Sequence, residues 1–210
     1  FKGDWANRFD RSATQSQPFS ITPRNRVQVP MMTRTETFGY VEDEGLQVLR
    51  MPYAGKHLAM VVLLPKPGEG LEKLERTMTA EKLAGWLNQM SEQDVAVSFP
   101  RFRMTGSFSL VDTLETLGMR KAFDNNSADF SGMNDGRESL YISAVEHRAY
   151  VDVNEEGTEA AGATGIAVGT LSAAPTDRKP PVFRADHPFL FTICDVQTGA
   201  VLFLGRVTNP

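Results

Sequence analysis

The sequence predicts a mixed α and β fold that is rich in strands, with mostly antiparallel sheets and a few short helices. Three observations carry this. Short runs alternate with a period of two, the longest at Tyr141, Ser143, Val145, His147, Ala149, Val151 and Val153. Clusters of Pro, Gly, Asn and Asp punctuate those runs at hairpin spacing. Helical periodicity is confined to three brief stretches.

In chain order, residues 11–26 are polar and contain proline, which predicts an irregular connection. Residues 27–32, 37–41 and 46–51 read as short strands, and the apolar run 58–64, closed by Pro65, as a buried one. The break at Pro52-Tyr53-Ala54-Gly55 makes the last two a hairpin. Residues 71–76 form a short helix, and Thr79 caps a second over 80–88 with Leu83, Trp86 and Leu87 on one face. Val95, Val97 and Phe99 alternate in a strand over 94–104, with an irregularity at Pro100. Ser109 caps a third helix over 110–117, ended by Gly118. Residues 124–138 are loop, and 140–154 a long strand. Residues 175–181 form a Pro-rich link before two closing strands, 189–196 and 200–207, joined by Gln197-Thr198-Gly199.

Composition excludes several function classes. The 210 residues hold 26 acidic and 22 basic side chains, a net charge of -4 with no basic excess for nucleic acid. The apolar share of 41% suits a globular core, and no apolar run is long enough to cross a bilayer. A lone cysteine, Cys194, excludes an internal disulfide framework and a multi-thiolate metal cluster, and its apolar neighbours mark it as a buried, inert thiol. The three histidines, His57, His147 and His187, sit in no recognisable catalytic or metal-binding motif. No catalytic residue, metal or cofactor is therefore assigned, and the chain is not read as an enzyme. Asn125-Asn126-Ser127 fits a glycosylation sequon, which matters only in a secreted protein.

One segment departs from the rest. Glu155-Glu156-Gly157-Thr158-Glu159-Ala160-Ala161-Gly162-Ala163-Thr164 follows a strong strand and carries no large side chain after Glu159. By composition it reads as a flexible linker. By alternation it reads as a latent strand. Thr158, Ala160, Gly162 and Thr164 would share one uncharged face no larger than threonine, while Glu159 would point to the other. Such a strand could enter an existing sheet with little steric cost.

That run resembles the hinge of the reactive-centre loop of the serpins, the suicide serine-protease inhibitors. The resemblance extends along the chain. Phe1-Lys2-Gly3-Asp4-Trp5 with Phe9 is similar to the end of a central strand of the family's sheet A. Val29-Pro30-Met31-Met32 is similar to a strand of sheet C. Pro100-Arg101-Phe102, then Leu114, Leu117-Gly118-Met119 and Ala122-Phe123, resemble the next sheet A strand and its helix. Ala128-Asp129-Phe130-Ser131-Gly132-Met133 matches a family loop. Ala185-Asp186-His187-Pro188-Phe189 and Leu204-Gly205-Arg206-Val207-Thr208-Asn209-Pro210 match the closing hairpin of sheet B.

The resemblance implies a mechanism. A target serine protease cleaves the loop and is held as a covalent acyl-enzyme while the loop inserts as a strand into sheet A. Family spacing places the scissile bond at Leu171–Ser172, with Thr170 or Ser172 as alternative positions, and the loop over 155–181. The 15 residues from Gly157 to Leu171 span about 50 Å when extended. Leu171 implies a chymotrypsin- or elastase-like target. His147 aligns with the family's shutter histidine beneath sheet A. The resemblance further implies no nucleic-acid or membrane partner, a monomer as the full-length protein, and an extracellular setting. It makes residues 1–210 the C-terminal part of one serpin domain, so that Phe1 is a cut edge and apolar surface is left exposed. The alternative is a non-inhibitory serpin-fold carrier, chaperone or binding protein, although those members carry bulky, charged or Pro hinge residues.

Overall fold

A computed structural model describes residues 1–67, 70–158 and 179–210. The described residues fall into two units, one of Phe1–Arg103 with Asp152–Pro210 and one of Met104–Val151.

The first unit is built on antiparallel hairpins. Strand β1 is Gly3–Asp4, and after a 3-10 turn at Arg11–Ala13 come β2 (Gln15–Thr22) and the 19-residue β3 (Asn25–Asp43). These are followed by β4 (Leu46–Pro52), β5 (Leu58–Pro65), helices α1 (Leu71–Thr77) and α2 (Ala80–Gln89), and β6 (Ser91–Pro100). Helix α3 (Val111–Thr116) and most of β7 (Phe102–Ser109) and β8 (Glu146–Val153) belong to the second unit. The last strands are β9 (Gly157–Thr158), β10 (Val182–Arg184), β11 (Phe189–Asp195) and β12 (Val201–Val207). An eight-stranded sheet runs β10-β6-β3-β4-β5-β11-β12 with β2 on β3, and a smaller sheet runs β1-β9-β8-β7. Among the described pairings only β10 with β6 is parallel.

The β4–β5 hairpin forms as the turn residues at 52–55 predict. Every residue of β5 from Ala59 to Pro65 is buried, which is why that strand reads as an unbroken apolar run. On one side, Leu46, Val48, Val61, Leu63 and Leu190 pack with Leu74 of α1 and Leu83 of α2. Helix α2 starts where expected, because the Thr79 hydroxyl accepts the Lys82 N–H at 3.2 Å. Trp86 fixes its far end by donating from Nε1 to Asp43 Oδ2 at 3.0 Å. Elsewhere Phe99, Phe102, Phe189 and Phe191 form a cluster of tilted and edge-on rings with centroids 5.5–6.1 Å apart.

Four sequence expectations are corrected. The irregular connection at 11–26 contains β2 and the start of β3, because its polar residues pair with β3 from Gln15 to Thr22. Strands 27–32 and 37–41 are one strand, since the polar stretch Thr33–Glu36 stays in register with β6 throughout. The single strand expected over 94–104 is two, broken at Arg101, whose N–H turns to the Pro30 carbonyl at 2.9 Å. The long strand expected over 140–154 begins only at Glu146.

In the second unit, α3 starts with Leu110 as its N-cap and no side-chain cap, so Ser109 does not play that part. The Leu110 N–H donates to the Val145 carbonyl and the Ile142 N–H to the Ala122 carbonyl, each at 2.9 Å. Phe108, Leu117, Met119, Met133 and Tyr141 of this unit are exposed.

Candidate functional site

The run from Glu155 to Thr158 is where the chain turns back after β8. The Asn154 N–H donates to the Gly157 carbonyl at 3.0 Å, and the Asn154 side chain accepts the Glu156 N–H at 2.9 Å. This turn returns Thr158 beside Val153 of β8, antiparallel. On its other side β9 meets β1, with Gly3 opposite Thr158 and Asp4 opposite Gly157. Thr158 therefore has a strand on both sides.

The approach to β1 is close enough to need glycine at 157. A Cβ there would lie 2.2 Å from the Gly3 carbonyl oxygen and 2.6 Å from Asp4 Cα. Further backbone bonds continue the seam, from the Trp5 N–H to the Glu156 carbonyl and from the Phe9 N–H to the Glu155 carbonyl, each at 2.9 Å. The Trp5 indole N–H reaches the Asn154 carbonyl at 2.9 Å.

Side chains finish the anchorage. Thr158 is fully buried, and its hydroxyl lies 2.8 Å from the Tyr53 hydroxyl. Tyr53 is held by the Trp5 ring, stacked at 4.8 Å and nearly parallel. Burial pushes the Tyr53 phenol well above its ordinary pKa, only partly opposed by the Thr158 bond, so the pair is neutral at physiological pH. Glu155 is buried at 4% exposure, where its carboxylate accepts the Thr14 hydroxyl at 2.7 Å and faces Arg101 Nε at 3.5 Å. Glu156 accepts Arg11 at 2.5 Å. Chemically the site holds no poised nucleophile and base. What it offers is a strand position between two edges, with a small uncharged side chain inside and both acidic neighbours fixed by partners.

Of the residues expected to form a hinge, Glu155, Glu156, Gly157 and Thr158 lie at this seam. Glu159, Ala160, Ala161, Gly162, Ala163, Thr164 and the bond at Leu171–Ser172 lie outside the described residues. His147 stands apart on β8, exposed, with its ring 6.4 Å from that of Phe108. Residues that sequence reading did not assign to the site are Tyr53, Thr14, Arg101 and Arg11. Tyr53 stands beside Pro52 in a hairpin turn and Arg101 after Pro100, so each reads locally as turn or strand break. Among the described residues no group of three or more His, Cys, Asp or Glu side chains could hold a metal ion, and no helix is long and apolar enough to cross a membrane.

The described residues are strand-rich and form two sheets, with Gly157–Thr158 paired between β1 and β8. The family described as serpin (serine protease inhibitor) matches residues 1–210, and the chain belongs to it. An uncharacterized serpin-like protein of Thermococcus kodakarensis is 42% identical over all of this chain and 48% of its own length. Human leukocyte elastase inhibitor is 41% identical over all of this chain and 56% of its own length. The chain thus spans about half the length of the curated relatives it matches. Among solved structures, human thyroxine-binding globulin with thyroxine superposes with a TM-score of 0.86 at 33% identity, over all of this chain and 54% of that one. These relatives lend no support to the extracellular setting expected from the sequence.

Proposed function

We propose that the full-length protein inhibits serine proteases by a suicide mechanism in which the segment 155–181 is the reactive-centre loop. The observation that carries this reading is the pairing of Gly157 and Thr158 between β1 and β8, with Thr158 fully buried. Gly157 and Thr158 occupy a strand position, and if the strand were extended Ala160, Gly162 and Thr164 would give the Thr158 face small, uncharged side chains. The protease serine oxygen attacks the Leu171 carbonyl carbon, an ester forms, and the Leu171–Ser172 peptide bond breaks. The Ser172 amine leaves with the proton that the protease's own base took from that serine. Insertion continues from Thr158 and carries the acylated protease with it. Relatives named as a leukocyte elastase inhibitor support an inhibitory role, and Leu171 supports a target with an apolar primary pocket. The partner is then a single covalently held protease, and the full-length protein acts as a monomer.

Thyroxine-binding globulin carries a second reading, a non-inhibitory binding protein on the same fold. Incubation of the full-length protein with chymotrypsin, elastase, trypsin and subtilisin separates the two. The inhibitory reading expects an SDS-resistant complex with chymotrypsin or elastase. Thr158→Arg, which forces an unpaired charge into a buried position, should turn inhibitor into substrate with clean cleavage and no complex. No complex with any of the four, or an undiminished complex from Thr158→Arg, contradicts the proposal.

A further inference from the structure

Between β10 and β11 geometry fixes the protonation of a histidine. His187 Nδ1 lies 2.9 Å from Asp186 Oδ1, and Nε2 lies 2.6 Å from the Pro65 carbonyl oxygen at the end of β5. A carboxylate oxygen and a peptide carbonyl oxygen only accept, so both ring nitrogens must carry a proton for both bonds to form. That species is the imidazolium. A neutral ring would satisfy one oxygen and turn a lone pair on the other.

The Asp186 carboxylate is shared. Its Oδ2 accepts from Arg184 Nε at 2.9 Å, and Arg184 Nη2 donates to Gln17 Oε1 of β2 at 2.7 Å. The Ser20 N–H donates to the Asp186 carbonyl at 2.7 Å. One chain of bonds therefore joins β2, β10 and the end of β5. Other charged groups lie on the neighbouring elements. Lys66, next to Pro65, pairs with Glu42 of β3. In the groove beside Pro188, Glu75 of α1 pairs with Arg206 of β12, and Glu72, Lys73 and Arg76 of α1 line the same groove. Asp186 is the carboxylate that contacts the ring.

The strand this corner secures is poorly held by its own ladder. β10 has three residues, lies at the end of the sheet order and, among the described residues, pairs only with β6. A side chain anchors its other end, where Gln47 Nε2 donates to the Val182 carbonyl at 3.0 Å. We propose that His187 is a proton-dependent latch, which as the imidazolium ties the β10–β11 corner to the end of β5 and on losing its proton loosens β10 from β6.

Burial by itself would lower the His187 pKa. The bonds to Asp186 and to the Pro65 carbonyl, with the Asp186 charge, outweigh it and hold the ring above the ordinary histidine value. Burial likewise opposes ionisation of Asp186, but His187 and Arg184 keep its carboxyl below the usual range. A folded-state pKa above the unfolded value of about 6.5 makes the latch complete below that pH, and it is lost as pH rises through the folded pKa. Asp186 stays charged across this window. The inference concerns β10 and stands whether or not the loop inhibits a protease.

The test is amide hydrogen exchange of the full-length protein at about pH 6 and about pH 8.5, corrected for intrinsic exchange chemistry. The reporters are Ala185, whose N–H donates to Ser98, and Ala96, whose N–H donates to the Pro181 carbonyl, both across the β10–β6 junction. Protection at both should fall about fivefold or more toward the higher pH. His187→Arg, always charged, should flatten that dependence, and His187→Gln should leave protection low at both values. Wild-type protection that does not change with pH overturns the proposal. So does a His187→Gln protein that keeps the wild-type dependence. Should His187→Gln fail to fold, His187→Arg decides alone, and a wild-type fall in that variant overturns it.

Discussion

The hydroxyls of Thr158 and Tyr53 satisfy each other 2.8 Å apart in a buried place. Removing one partner strands the other, at a cost of about 1–3 kcal/mol, whereas removing both at constant shape is close to neutral. Thr158→Val and Tyr53→Phe should therefore each lower the unfolding free energy of the full-length protein by about 2 kcal/mol. The double variant should lose clearly less than the sum, as read by urea denaturation in a double-mutant cycle. Strict additivity would mean that the two hydroxyls do not pair. Glu155 obeys the same logic with a charge in place of a hydroxyl. At 4% exposure its two oxygens meet Thr14 and Arg101, so removing either partner leaves a buried oxygen without its contact.

At the scale of the element, β9 is described over Gly157–Thr158, and there both of its edges are occupied. Gly157→Ala would set a methyl group against the Gly3 backbone, which cannot swing aside as a side chain could. The expected result is separation of β9 from β1, with a loss of about 1–3 kcal/mol and faster exchange at the Trp5 amide, which bonds to the Glu156 carbonyl. Unchanged exchange at Trp5 would show that the pairing is not made. Elements whose signals are local were legible in the sequence. Short apolar runs bounded by turn residues marked β4, β5 and β11, and a threonine cap marked α2. Elements that depend on a distant partner were not. β2 is polar and contains Pro18, as only a strand paired on one side tolerates, and β3 is laddered by β6 across a polar stretch that reads as a break. The hinge proposed at 155–164 rests on a local signal of the first kind, composition and alternation within ten consecutive residues, of which Glu155–Thr158 are described. Its supports were not legible, because Thr14, Tyr53 and Arg101 come to it from three separate parts of the chain.

At the scale of the whole molecule, the proposal treats the loop as stored strain whose release is already begun at β9. Extending that strand toward Leu171 would add on the order of ten or more backbone hydrogen bonds, each worth about 1 kcal/mol net. The apparent denaturation temperature of the full-length protein before and after a single cut at Leu171–Ser172 is the most direct test of that claim. Insertion predicts that the cut protein unfolds at least about 10 °C higher than the intact one. A cut protein that unfolds at the same temperature, or lower, would contradict it and leave β9 as a structural tie at the base of an ordinary loop.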